Sequence, residues 1–164
     1  MPFSSRVLTR AFTLLEICLV IVVLSVIAGL ALPLMHGLIA QERIGGITND
    51  YRDLALQARR LAVEEGIPYA IYFNDKTLTL APWYGTEKRA GKPIDEMRIP
   101  PDMDISLRNI STGRWQVPAG QAWIFQTGGI CDYLEIRTKA GSCRSELAFN
   151  PLTATARETA AHYE

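Results

Sequence analysis

The chain has 164 residues with 17 Lys plus Arg against 17 Asp plus Glu, so its formal charge is zero and no basic excess invites nucleic acid. That length holds one anchor segment and one small domain, with no room for a second. The two histidines, His36 and His162, lie remote from any Cys pair, which leaves no zinc ligand set, and there is neither a nucleophile elbow nor a Gly-rich phosphate loop. No enzyme activity, cofactor or metal is implied.

Residues 1–11 carry Arg6 and Arg10 and no acid, and from Ile17 to Met35 there is no charge over 19 residues. A bilayer core needs a helix of ~20 apolar residues, so this segment is expected to span a membrane. The arginines then stay on the cytoplasmic side. Glu16 sits at the N-terminal margin of the run, where a carboxylate in lipid costs roughly 2.5–3.5 kcal/mol at the low estimate. An ordinary signal peptide has an apolar region of only about 7–15 residues and rarely an acid. A plain anchor needs no such acid either.

The stretch Arg10-Ala11-Phe12-Thr13-Leu14-Leu15-Glu16 resembles the processing site of type IV prepilins and pseudopilins. In that family a short basic leader is removed just before a Phe. If Phe12 becomes residue one, Glu16 falls at mature position five and Pro33 at twenty-two, and both offsets match the family pattern. Ala11 stands where the family usually has Gly. The resemblance implies cleavage between Ala11 and Phe12 by a prepilin peptidase and methylase, then assembly with other pseudopilins on an inner-membrane secretion platform. Cleavage would expose an α-amino group with a reference pKa of ~7.7–8.0, largely cationic at neutral pH. The resemblance further implies that Glu16 meets the Phe12 amine of a neighbouring subunit. An unpaired buried charge is far worse than a paired one, so that contact would set axial register. The expected location is the bacterial inner membrane, single-pass, with the C-terminal part in the periplasm. Without the leader the formal charge is 15 − 17 = −2 over 164 − 11 = 153 residues.

Ser25, Gly29, Pro33 and Gly37 recur every four residues and share one helix face, where small side chains let helices approach closely in lipid. Chance in an Ala- and Gly-rich run is the alternative. Pro33 deletes a backbone hydrogen bond, so a kink or a locally unwound turn is expected there. Segment 12–35 is thus the transmembrane helix and 36–66 its amphipathic continuation. In the latter, Ile44, Ile47, Tyr51, Leu54, Ala55, Ala58, Leu61 and Ala62 step by three and four. Gly66 as the residue past the helix end, with Pro68 behind it, stops the helix. From Phe12 to Glu65 is 54 residues, roughly 80 Å at ~1.5 Å each.

After Pro68 the period falls to two. Residues 69–73 and 77–83, with a turn at Asn74-Asp75-Lys76, predict a hairpin with Ile71, Phe73, Leu78 and Leu80 facing in. Residues 84–98 hold seven charges, two glycines and a proline and are expected to be an exposed excursion. Residues 105–108, 123–125, 133–137 and 146–149 are further short strands, and 158–164 a frayed tail. The fold class expected is α+β: a long N-terminal transmembrane-plus-amphipathic helix packed on a small antiparallel β domain over 67–157.

The helix end Ala58-Arg-Arg-Leu-Ala62, the hairpin after it, and Phe125-Gln-Thr-Gly128 before a late hairpin resemble the H-type minor pseudopilins of type II secretion and their FimT-like relatives. The function implied is that of a structural subunit of the secretion pseudopilus. The alternative is a minor pilin of a type IV pilus that touches DNA during uptake, since Arg137, Lys139 and Arg144 cluster near the C-terminus; with Glu135 and Glu146 among them, a solvated face is the plainer account. Asp102-x-Asp104 is either a calcium pair or a turn. Cys131 and Cys143 bracket a hairpin in the part expected to be exported, where a disulfide can persist, two reduced thiols being the alternative. Cys18 lies in the apolar run.

Overall fold

A computed structural model describes residues 14–85, 91–109, 113–118 and 120–162, with the backbone alone for 30–40. Ala11 and Phe12 lie outside the described residues, as does the side chain of Pro33. The chain divides into two compact units, Met1–His36 and Gly37–Glu164. One helix, α1 (Leu14–Glu65), is followed by eight strands.

In the first unit the backbone is helical from Leu14 onward, and it remains helical through Pro33 rather than unwinding there. Every described side chain from Leu14 to Gly29 is exposed. Among the described residues no helix is long and apolar enough to cross a membrane.

In the second unit the helix is amphipathic as its spacing requires. Ile44, Ile47, Tyr51, Leu54, Ala55, Ala58 and Ala62 are buried in the main core, with Leu61 partly buried against it. Residues three and four apart share a face, so the stripe is continuous, and its alanines let the sheets come close. The helix stops where expected: Gly66 has φ +66°, a left-handed conformation that costs an L side chain roughly 1–2 kcal/mol.

The strands are β1 (Tyr69–Asn74), β2 (Thr77–Pro82), β3 (Asp95–Arg98), β4 (Met103–Asn109), β5 (Gln121–Phe125), β6 (Leu134–Ala140), β7 (Cys143–Phe149) and β8 (Ala156–His162). They form two antiparallel sheets, ordered β3-β2-β1-β5 and β4-β6-β7-β8. Ile71 lies across from Leu80 and Phe73 from Leu78, so all four inward residues of the first hairpin meet in the core. Trp123, Phe125 and Phe149 close the space between the sheets, with Trp123 centred 4.7 Å from each of the other two rings. Offset and edge-on aromatic packing of this kind adds about 0.5–1.5 kcal/mol per pair beyond area burial. Tyr51 carries the helix into the second sheet, where the Thr138 hydroxyl donates to its phenol oxygen at 3.4 Å. A smaller cluster, Ala70, Tyr72 and Ala81, sits on the other face of the first sheet against Trp83, Ala122 and Ile124.

Two expectations need correction. The end of the excursion, Asp95–Arg98, is a strand, because Met97 pairs with Leu78 and packs against the core while Glu96 and Arg98 stay outside. The segment expected to fray is β8, in register with β7 from Ala156 against Phe149 to His162 against Arg144, with an irregularity at Glu146/Leu147. It is tied by the Thr159 hydroxyl donating to the Glu146 carbonyl and by the Ser145 hydroxyl donating to the Glu158 carboxylate.

Candidate assembly site

Glu16 lies in the first turn of α1. A carboxylate there faces the positive end of the helix dipole, which favours it by about 0.3–1 kcal/mol at an exposed position. Its neighbours are apolar and bare: Leu14 is 82% and Leu15 75% exposed, and Ile17, Leu19, Val20 and Ile21 are exposed too. Such an apolar helix surface is large for water and marks a place that another apolar body covers. The Ser25 hydroxyl donates back to the Ile21 carbonyl at 2.7 Å, and a Cβ on Gly29 would meet nothing within 4 Å. The cleavage and methylation positions, Ala11 and Phe12, cannot be placed beside Glu16, since they lie outside the described residues.

In the second unit, alternation along β4, β6 and β7 turns Met103, Ile105, Leu107, Leu134, Ile136, Leu147 and Phe149 into the core. It therefore turns the charged residues between them outward. Across the ladder Arg108 faces Glu135, Arg137 faces Glu146, and Lys139 faces Arg144. Arg108 Nε donates to Glu135 at 2.6 Å, and the Tyr133 hydroxyl donates to the same carboxylate. The hydrogen bond to the Glu135 carboxyl group, then burial, pushes the Tyr133 phenol above its ordinary pKa. Arg137 Nε donates to Glu146 at 2.8 Å. Trp115, from the connection before β5, lies against both guanidinium groups, 3.8 Å from Arg137 and 4.7 Å from Arg108. The sequence places the basic residues together but carries no signal for Trp115, because its partners come from two other strands.

Asp102 and Asp104 do not converge on a cation site. Arg43 on α1 donates twice to Asp102, at 2.7 and 2.9 Å, and Lys76 lies 3.4 Å from Asp104 while donating to the Met103 carbonyl at 2.6 Å. Among the described residues no group of three or more His, Cys, Asp or Glu side chains is arranged for a metal.

The disulfide between Cys131 and Cys143 is not formed; both residues are buried, reduced thiols. Cys143 lies across from Ala140 at the turn of the β6–β7 hairpin, whereas Leu134 and Phe149 close its other end. Cys131 lies beyond that far end, its N–H donating to the Pro151 carbonyl at 2.8 Å. Six steps of ~3.4 Å put the two ends about 20 Å apart. A disulfide needs Cα atoms within ~4.4–6.8 Å. Burial, then the nearby Asp132 charge, pushes the Cys131 thiol up to about 11, which leaves it inert.

No protein-family model matches the sequence, and no curated protein matches it either. Solved structures do share the fold. One crystal structure of the minor pseudopilin EpsH from the type II secretion system of Vibrio cholerae superposes with a TM-score of 0.54 at 13% identity, covering 77% of this chain and 99% of that one. A second structure of EpsH gives 0.50 at 10% identity, covering 68% and 92%. At such identities the likeness is one of fold.

Proposed function

We propose that this chain is a minor pseudopilin: anchored in the bacterial inner membrane by residues 12–35, with its β domain in the periplasm, and assembled into the pseudopilus of type II secretion. The observation that carries this reading is the EpsH-like fold joined to an N-terminal helix whose first turn presents Glu16 from an otherwise apolar, exposed surface. The uncharged 19-residue run of the sequence supports the membrane anchor.

In this reading the leader is cut after Ala11 and the new Phe12 amine is methylated. Glu16 of one subunit then meets the Phe12 amine of the next. The chain's role is mechanical: the helix packs in the filament core, and the sheets face other pseudopilins or the exported load.

Mass spectrometry of the membrane-purified protein tests the processing step, with a mature chain starting at Phe12 expected; a start at Met1, or one after Ala31, removes the reading. Deletion of the gene tests the machine. Loss of protein export supports secretion, whereas intact export with loss of twitching or DNA uptake assigns the chain to a type IV pilus.

A further inference from the structure

The outer edge of β4 is closed at both ends and open between them. At Leu107 the N–H donates to the Gln116 carbonyl and the Gln116 N–H donates back, each at 2.8 Å. At Met103 the N–H donates to the Pro100 carbonyl at 3.0 Å, and the Met103 carbonyl accepts from Lys76 Nζ at 2.6 Å. Residues of an antiparallel strand turn their backbone groups to one side and then to the other in alternation. Asp104 and Ser106 therefore bond to β6, opposite Lys139 and Arg137, whereas Ile105, between Met103 and Leu107, turns its N–H and C=O away from β6. Among the described residues no backbone group meets them there.

Pro118 is the cause. Carried two residues past the Leu107–Gln116 bridge, the antiparallel run would bring Pro118 opposite Ile105. A proline has no N–H to donate, so the connection leaves β4 at this point, and the Gly120 N–H donates instead to the Phe73 carbonyl on the first sheet at 3.0 Å. Unpaired N–H and C=O groups on a strand edge are a template for a further strand. These two open on a recess of about 420 Å³ that is walled by Val117 and Pro118 and reaches Asp75 and Lys76.

We propose that this recess docks a short, uncharged, extended peptide segment, which pairs with Ile105 as an added strand on β4 and lays an apolar side chain on Val117. The charges around it cancel: Asp75 and Asp104 line it with Lys76 and Lys139, Lys76 lies 3.4 Å from Asp104, and Lys139 faces Asp104 across the ladder. An ion of either sign gains little there. Val117 is 73% exposed, an apolar wall bared to solvent. Length decides between occupants: from Met103 to Leu107 is four steps of ~3.4 Å, about 14 Å, which admits about three residues of strand. The open edges of a second copy do not match, since β8 is seven residues long and three of the four residues of β3 are charged. In strand addition main-chain bonds hold the peptide and side-chain contacts select it. The site requires neither membrane nor processing, and so goes beyond the pseudopilin reading.

The test follows backbone amide exchange in the isotope-labelled full-length chain, held in detergent micelles, with and without the capped peptide acetyl-Thr-Val-Thr-Val-Thr-amide at millimolar concentration. Without peptide, the Ile105 amide should exchange at least about tenfold faster than the amides of Asp104 and Ser106, which are bonded to β6. With peptide, exchange at Ile105 should slow about tenfold, the factor that ~1.4 kcal/mol corresponds to. N-methylation removes a backbone donor, and alternate residues of a strand point their N–H groups to opposite sides. Of two analogues, one methylated at both valines and the other at all three threonines, one should therefore bind about tenfold more weakly than the other. Val117→Asp, a change at an exposed position, should weaken the peptide by a similar factor and leave Ile105 exchange in the free protein as it was. An Ile105 amide as slow as its two neighbours in the free protein, no slowing with peptide, equal binding of the two analogues, or full binding by Val117→Asp overturns the site. Slowing that appears on concentrating the protein without peptide makes the occupant a second copy and overturns it too. A Phe12 start with no peptide effect removes only this site; a peptide effect without a Phe12 start removes only the pseudopilin reading.

Discussion

Cys131 and Cys143 lie at opposite ends of the same β hairpin, one beside Pro151 and the other across from Ala140. The arms have the length to hold them apart whatever the redox compartment. Alkylation of the protein under denaturing conditions should therefore label both thiols equally with and without reductant. In the folded protein Cys131 should react very slowly, because a thiol pushed up to about 11 is almost wholly protonated at neutral pH and its sulfur is buried. A thiol that labels only after reduction would mean that the hairpin is built differently.

Gly129 is held where no other residue fits. Its φ is +75°, and a Cβ there would come within 2.9 Å of Val63 Cγ2 and 3.2 Å of Arg59 Nε. Arg59 Nε also donates to the Gly129 carbonyl at 3.0 Å, so the loop before β6 is clamped to α1 at this point. Gly129→Ala should lower stability by about 2 kcal/mol from backbone strain and loss of that clamp, measured by chemical denaturation. A Gly66→Ala control has the same left-handed strain but open space for the methyl, and should cost less.

Tyr69 reports on alkaline stability. Its hydroxyl donates to Glu65 at 2.6 Å, and burial, then this bond to a carboxylate, raises its pKa to about 12. The unfolded phenol ionises near 10. A group whose folded pKa is raised contributes its full stability below the unfolded value, so the loss should begin near pH 10 and be complete only as pH passes about 12. Ultraviolet titration should show a late-ionising phenol, and Tyr69→Phe should remove that phase and flatten the pH dependence in this window. Unchanged titration in the variant would assign the late phenol to Tyr51 or Tyr133 alone.

Much of this fold is legible in the chain because its strongest elements are periodic in their apolar residues. The stripe from Ile44 to Ala62 and the alternation of Ile71, Phe73, Leu78 and Leu80 each state a face, and the structure buries those faces. β8 is illegible for the converse reason: Ala156–His162 has no large apolar side chain, and the segment is a strand only because β7 supplies its hydrogen-bonding edge. β3 carries a single core contact, Met97, among charges. The grouping of Arg137, Lys139 and Arg144 is visible in the sequence, but their opposed register and the Trp115 stack depend on pairings between distant strands. Spacing alone likewise cannot show that two cysteines flanking a hairpin lie at its opposite ends.

The last prediction isolates Glu16. It lies in the first unit, on a helix surface where the apolar side chains around it are exposed, whereas the core formed by Ile44 and the two sheets belongs wholly to the second unit. Glu16→Ala should thus leave the thermal transition of the β domain within about 3 °C, as expected for an exposed substitution with an effect inside about ±0.5 kcal/mol. Cleavage before Phe12 should also persist, because the change lies on the mature side of the site. What should fall is incorporation into filaments, because a neighbour's Phe12 amine would then enter an apolar environment without its carboxylate, and an unpaired buried charge costs about 3–5 kcal/mol. Cross-linking of the full-length protein in membranes measures this, with Glu16→Gln as the conservative companion: it keeps the side chain's shape but not its charge. Loss of assembly in both variants with an unchanged thermal transition places the requirement on the charge itself. Normal assembly of Glu16→Gln would show that the amine needs only a hydrogen-bond acceptor, and normal assembly of Glu16→Ala would remove Glu16 from the contact altogether.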